Sequence, residues 1–236
     1  MRLLNLLPFA ALSIAFALAA PAEAEVCPAS DVLCQSGDDN GDTFSTTTLP
    51  TFFKICGGPT MNVEQATFDI PAGKFQVAVG EGGAMRLWLR DAFTVTGPAP
   101  GTPIAVHMRV RVHGGLNWDG ACCPDSQAHV DLTPLEPQVG DSPAHWSFGK
   151  TSGPFTAYPF SDSLDITLQR TAGAPIGIEI HAVADIQAPS SSNIEGEFTF
   201  PDLPQGWTVT SCKGYRKDQP VPAASASWGR VKAIYR

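Results

Sequence analysis

The chain reads as an all-β protein, a single antiparallel β-sandwich or jelly roll of about ten short strands. Three observations carry that reading. Its 236 residues include 22 glycines and 21 prolines, so turns are frequent and long helices are disfavoured. From Ala66 onward, apolar and polar residues alternate in short runs bounded by Gly and Pro, the pattern of half-buried strands. No stretch has a helical period except the last nine residues, where Trp228, Val231 and Tyr235 fall at helical spacing.

The elements follow in order. Residues 1–24 have the form of a secretory signal: Arg2, an apolar run from Leu3 to Ala20, and the small-x-small site Ala22-Glu23-Ala24. Cleavage after Ala24 is expected, which leaves no transmembrane anchor in the mature chain and places it in a secreted, periplasmic or cell-surface setting. Residues 25–62 form an acidic, irregular segment, since Glu25, Asp31, Asp38, Asp39 and Asp42 precede any base and no clean period is visible. Residues 63–215 form the sandwich. Its strands are expected at 67–70, 74–79, 85–96, 104–113, 128–133, 145–148, 164–170, 176–186, 194–200 and 208–211. Residues 216–236 form a basic tail.

A strand period of two names the buried rows. They are Phe75, Val77 and Val79; Val106, Met108, Val110 and Val112; Leu164, Ile166 and Leu168; and Ile176, Ile178 and Ile180.

Six cysteines (Cys27, Cys34, Cys56, Cys122, Cys123 and Cys212) follow the signal, and an even number in an exported chain argues for disulfides. Spacing does not choose the pairing. Adjacent Cys122 and Cys123 would be strained if joined, so each is expected to reach a distant partner. The formal net charge of −8 excludes a general nucleic-acid binder.

The most specific pattern lies at Met85–Thr96 and Ile104–His113. These runs flank Gly97-Pro98-Ala99-Pro100-Gly101-Thr102-Pro103 and are expected to pair as a hairpin. One face of it would then carry Arg86, Trp88, Arg90, His107, Arg109, Arg111 and His113. Arginine beside an exposed Trp can recognise sugars or carboxylates by stacking and forked hydrogen bonds. The plainer expectation is a solvated outer face whose arginines pair with Asp165, Glu179 or Asp185.

Asp38, Asn40 and Asp42 stand at alternate positions, as at the start of a calcium loop. Thr43 and Leu49 replace the glycine and glutamate that such a loop needs, so only a weak calcium site is expected and no other cofactor. Catalytic motifs are scarce. Five histidines are scattered, none in H-E-x-x-H and none beside G-x-S-x-G.

Three stretches carry a resemblance: LRDAFTVTGPAPGTPIAVHMRVRVHGGL (Leu89 to Leu116), PFSDSLDITLQRTAGAP (Pro159 to Pro175) and IEGEFTFPDLPQGWTVTSCKGY (Ile194 to Tyr215). Through them the region Leu87 to Tyr215 resembles a loose group of uncharacterised secreted bacterial β-sandwich proteins, many of which end in a Pro-Glu-Pro (PEP-CTERM) sorting signal. The resemblance implies a cell-surface or extracellular-matrix setting and no particular reaction. After Pro220-Val221-Pro222 this chain has neither Pro-Glu-Pro nor a hydrophobic helix, so sorting by that route is not expected.

The functional expectation is an exported, non-catalytic surface or matrix protein that binds polysaccharide or a cell-surface protein through its basic β face. The alternative is a jelly-roll carbohydrate-active enzyme, a glycoside hydrolase or lyase, whose paired carboxylates would be brought together by the fold.

Overall fold

The computed structural model describes residues 32–36, 43–46, 54–56, 64–80, 83–118, 126–150, 156–186 and 190–218. The described residues form fourteen strands and no helix: β1 Val32–Ser36, β2 Thr43–Thr46, β3 Lys54–Cys56, β4 Gln65–Asp69, β5 Lys74–Val79, β6 Gly83–Thr96, β7 Pro103–Trp118, β8 Ser126–Pro134, β9 Ala144–Lys150, β10 Thr156–Thr171, β11 Pro175–Ile186, β12 Ser191–Thr199, β13 Thr208–Ser211 and β14 Arg216–Asp218. No helix among them is long and apolar enough to cross a membrane.

Two antiparallel sheets form the sandwich. One has six strands in the order β10-β7-β12-β5-β4-β3. The other has eight, ordered β14-β13-β6-β11-β8-β9, with β1 against the remaining length of β6 and β2 against β1. Every residue of the four expected buried rows is at most 4% exposed. The physical reason is the alternation itself, which turns each branched or aromatic side chain toward the facing sheet while its neighbours stay in water. Phe93 and Phe198 meet edge to face across the core with ring centroids 5.7 Å apart.

All ten expected strands are present, but the segment read as irregular is not wholly so. Val32–Ser36 pairs with β6, Thr43–Thr46 with β1, and Lys54–Cys56 with β4. The expected tail also begins inside the sheet, because Arg216–Asp218 pairs with β13. These strands are three to five residues long, too short for a period of two to stand out. The signal segment, and the tail from 219 onward, lie outside the described residues.

The expected hairpin does not form. β6 pairs with β11 on one edge and with β1 and β13 on the other, whereas β7 pairs with β10 and β12 in the opposite sheet. The linking segment is an arch between sheets. Pro98, Pro100 and Pro103 have no N–H to donate, which disfavours a tight hairpin ladder. The Gly101 N–H instead donates to Ala172 O at 3.0 Å, and the Ala172 N–H returns a bond to Thr102 O at 2.9 Å. The arch is thereby docked on the β10–β11 connection.

Candidate functional site

Because β6 and β7 belong to different sheets, the seven residues of the expected basic face divide. Arg86, Trp88 and Arg90 lie on the outer face of the eight-stranded sheet, and His107, Arg109, Arg111 and His113 on that of the six-stranded one. The alternation that turns them away from the core holds. Their charges meet partners on neighbouring strands: Arg90 Nε lies 2.5 Å from Glu179 Oε2, and Arg109 Nε 2.7 Å from Asp165 Oδ1. His107 bridges two acids, with Nδ1 2.5 Å from Asp202 Oδ2 and Nε2 2.7 Å from Asp165 Oδ1. Asp165 and Glu179 thus take the pairing role expected for a solvated face.

On the six-stranded sheet a pocket of about 400 Å³ opens above β4, β5, β12 and β7. Register sets its main row, since Glu195 is paired with His113 on one side and Gln76 on the other, and Gln76 with Thr67. Both Glu195 oxygens are engaged. His113 Nε2 lies 3.0 Å from Oε2, and the Asn193 amide donates to Oε1 at 3.0 Å. The Gln76 amide in turn donates to Asn193 Oδ1 at 2.8 Å. Lys74 and Glu197 extend the lining along the same strands.

The eight-stranded sheet gathers three of the five histidines around one carboxylate. In β8 an i, i+2 spacing puts His129 and Asp131 on the same face. Register then sets His181 of β11 opposite Asp131 on one side and His145 of β9 opposite it on the other. His145 Nδ1 lies 2.6 Å from Asp131 Oδ1, while His181 Nδ1 and His129 Nε2 lie 3.4 and 3.9 Å from Oδ2. Burial holds both His129 and His181 below the ordinary imidazole range, the carboxylate of Asp131 only partly offsetting it. Both rings are therefore neutral at pH 7.

Sequence reasoning missed this cluster. The one local signal was His129-x-Asp131 within an alternating strand; His145 and His181 join it only through strand pairing. Of the other expected site residues, Asp38, Asn40 and Asp42 lie outside the described residues, as do Cys27, Cys122 and Cys123. Cys34 is buried in β1, Cys56 ends β3, and Cys212 follows β13.

The fold and its two polar faces define an antiparallel β-sandwich with candidate ligand surfaces on opposite sides. No protein family matches the chain, no curated protein is detectably similar to it, and no solved structure matches its fold.

Proposed function

We propose that the chain is an exported, non-catalytic binding module that holds a neutral polysaccharide against the outer face of its six-stranded sheet, at a bacterial surface or in the surrounding matrix. The observation that carries this reading is the hydrogen-bonded chain His113–Glu195–Asn193–Gln76 beside an open pocket of about 400 Å³. Amide and carboxylate groups held by one another are preorganised to exchange hydrogen bonds with sugar hydroxyls at little entropic cost. Asp69, Glu195 and Glu197 outnumber Lys74 in the lining, which favours neutral over acidic chains. Export is supported by the signal-like first 24 residues and by Cys34 and Cys212, both disulfide-bonded.

A second reading, a carbohydrate-active enzyme, is favoured by one feature. Glu195 and Glu197 alternate on β12 and both line the pocket, so two carboxyl groups face one space.

Affinity electrophoresis of the full exported chain through a set of neutral polysaccharides tests both. At least one should retard it, with Gln76→Ala and Glu195→Gln weakening retention about threefold to tenfold, the worth of one hydrogen bond. Equal migration in every polysaccharide, or equal retention of both variants, overturns the proposal. Release of new reducing ends transfers the pocket to the enzymatic reading.

A further inference from the structure

We propose that His129, Asp131 and His181 bind a divalent transition-metal ion, with Zn²⁺ the best chemical match, on the outer face of the eight-stranded sheet. One ligand atom from each residue lies within 4.8 Å of the other two. A tetrahedral Zn²⁺ with bonds of about 2.0–2.1 Å sets its ligand atoms about 3.3 Å apart. The Asp131–His181 edge, at 3.4 Å, already has that length, and the His129–Asp131 edge is 3.9 Å. Two imidazoles with one carboxylate suit zinc and its neighbours in the first transition row, whereas calcium and magnesium call for a set of oxygens.

The surroundings hold the three groups in place. His145 occupies the second oxygen of Asp131, Oδ1, at 2.6 Å, which leaves Oδ2 directed at His129 and His181. A ligating carboxylate fixed in this way by an outer hydrogen bond is the usual support of a protein metal site. The ring of His181 is clamped by Trp88, stacked on it with centroids 4.6 Å apart and planes 9° from parallel. Its Nδ1 is the nitrogen that faces Asp131; Nε2 is buried with no hydrogen-bond partner among the described residues. The ligand side chains are partly exposed, 23% for His129, 32% for Asp131 and 21% for His181, so an ion can enter from solvent. Three protein ligands leave a fourth position for water or an outside group. Glu179, Asp185 and Arg86 are the charged neighbours; Arg90 holds Glu179 and Arg86 offsets Asp185, so the negative charge offered to a cation is that of Asp131 itself.

Titration of the tag-free full chain with zinc chloride by calorimetry tests the assignment. One ion should bind per chain. His129→Gln and His181→Gln should each abolish uptake, His145→Gln should weaken it about tenfold, and His113→Gln, on the opposite sheet, should leave it unchanged. On the unaltered protein, zinc should shift the imidazole NMR signals of His129, His145 and His181 and not those of His107 and His113. No uptake at millimolar zinc, equal affinity in the His129 and His181 variants, or shifts confined to the other two histidines overturns the site. Chelation should leave polysaccharide retention unchanged, so this result stands or falls apart from that reading.

Discussion

Trp88 and His181 stack face to face across paired strands, their ring centroids 4.6 Å apart and their planes inclined by 9°. The two residues are directly opposite in the β6–β11 ladder, where cross-strand side chains lie closest. The indole covers an imidazole that burial keeps neutral, so the contact is an offset of two π faces, and no ion pair is involved.

Replacing Trp88 by leucine should therefore cost about 0.5–1.5 kcal/mol beyond the apolar area lost. Urea unfolding of Trp88→Leu, His181→Leu and the double variant gives the coupling energy. A coupling near zero would mean that the stack is an accident of neighbouring positions.

His107 sets a pH dependence. The Asp202 carboxylate, joined by that of Asp165, raises its affinity for a proton above the ordinary imidazole value despite partial burial. A group whose folded pKa is raised contributes stability that is complete below the unfolded value, about 6.5, and is lost as pH rises through the folded one. The stability difference between the wild type and His107→Gln should accordingly be largest at pH 6 and shrink toward pH 9. Denaturant midpoints at four or five pH values decide it; a difference that widened with pH would contradict the double carboxylate contact.

The buried rows were legible in the sequence because a period of two assigns each side chain to a face without reference to its partner strand. Val110 and Val112 of β7 and Leu87 and Leu89 of β6 lie in the core as that period requires. The partner strand is a different matter. The expected hairpin would gather Arg90 and Arg109 on one face, yet the neighbour of Arg90 is Glu179, 89 positions away. The three prolines between the strands were read as turn residues when their missing donors also permit an arch. The histidine cluster was hidden for the same reason, since His129, His145 and His181 meet only after β9, β8 and β11 have aligned.

Arg170 and Asp141 clamp the two sheets together at one end. Arg170, at the end of β10, is buried and bidentate: Nη1 donates to Asp141 Oδ1 at 3.1 Å and Nη2 to Oδ2 at 2.6 Å. Asp141 belongs to the β8–β9 connection of the other sheet, where it also accepts the Gln138 N–H at 2.7 Å. With side chains 6% and 3% exposed, removing one partner strands a buried charge. Asp141→Ala should destabilise by about 3–5 kcal/mol, and Asp141→Leu with Arg170→Met should recover most of that. The hydrogen bonds from Arg170 hold the Asp141 carboxyl below its ordinary value. The pair's contribution is thus present above pH 3.8, the ordinary aspartate value, and fades as pH falls through the lowered one.

Gly196 tests how the core shapes the polysaccharide face. It pairs with Phe75 of β5 and Val112 of β7, and its missing side chain leaves the space that the Phe75 ring fills. A Cβ at this position would fall inside that ring, so Gly196→Ala must push Phe75 out of its place. Overpacking of this kind costs about 1–3 kcal/mol. For a domain of this size that corresponds to a melting temperature lower by about 2–12 °C. Phe75→Leu gives room back, so the double variant should melt above Gly196→Ala alone although leucine by itself is destabilising. Because Glu195 and Glu197 flank Gly196 and face the pocket, the single variant should also weaken polysaccharide retention, and the double variant should restore part of it. Scanning calorimetry and affinity electrophoresis on the same four proteins decide both points: additive melting shifts would show that the ring and the glycine do not share one space, and retention that ignored Gly196→Ala would separate the pocket from the core beneath it.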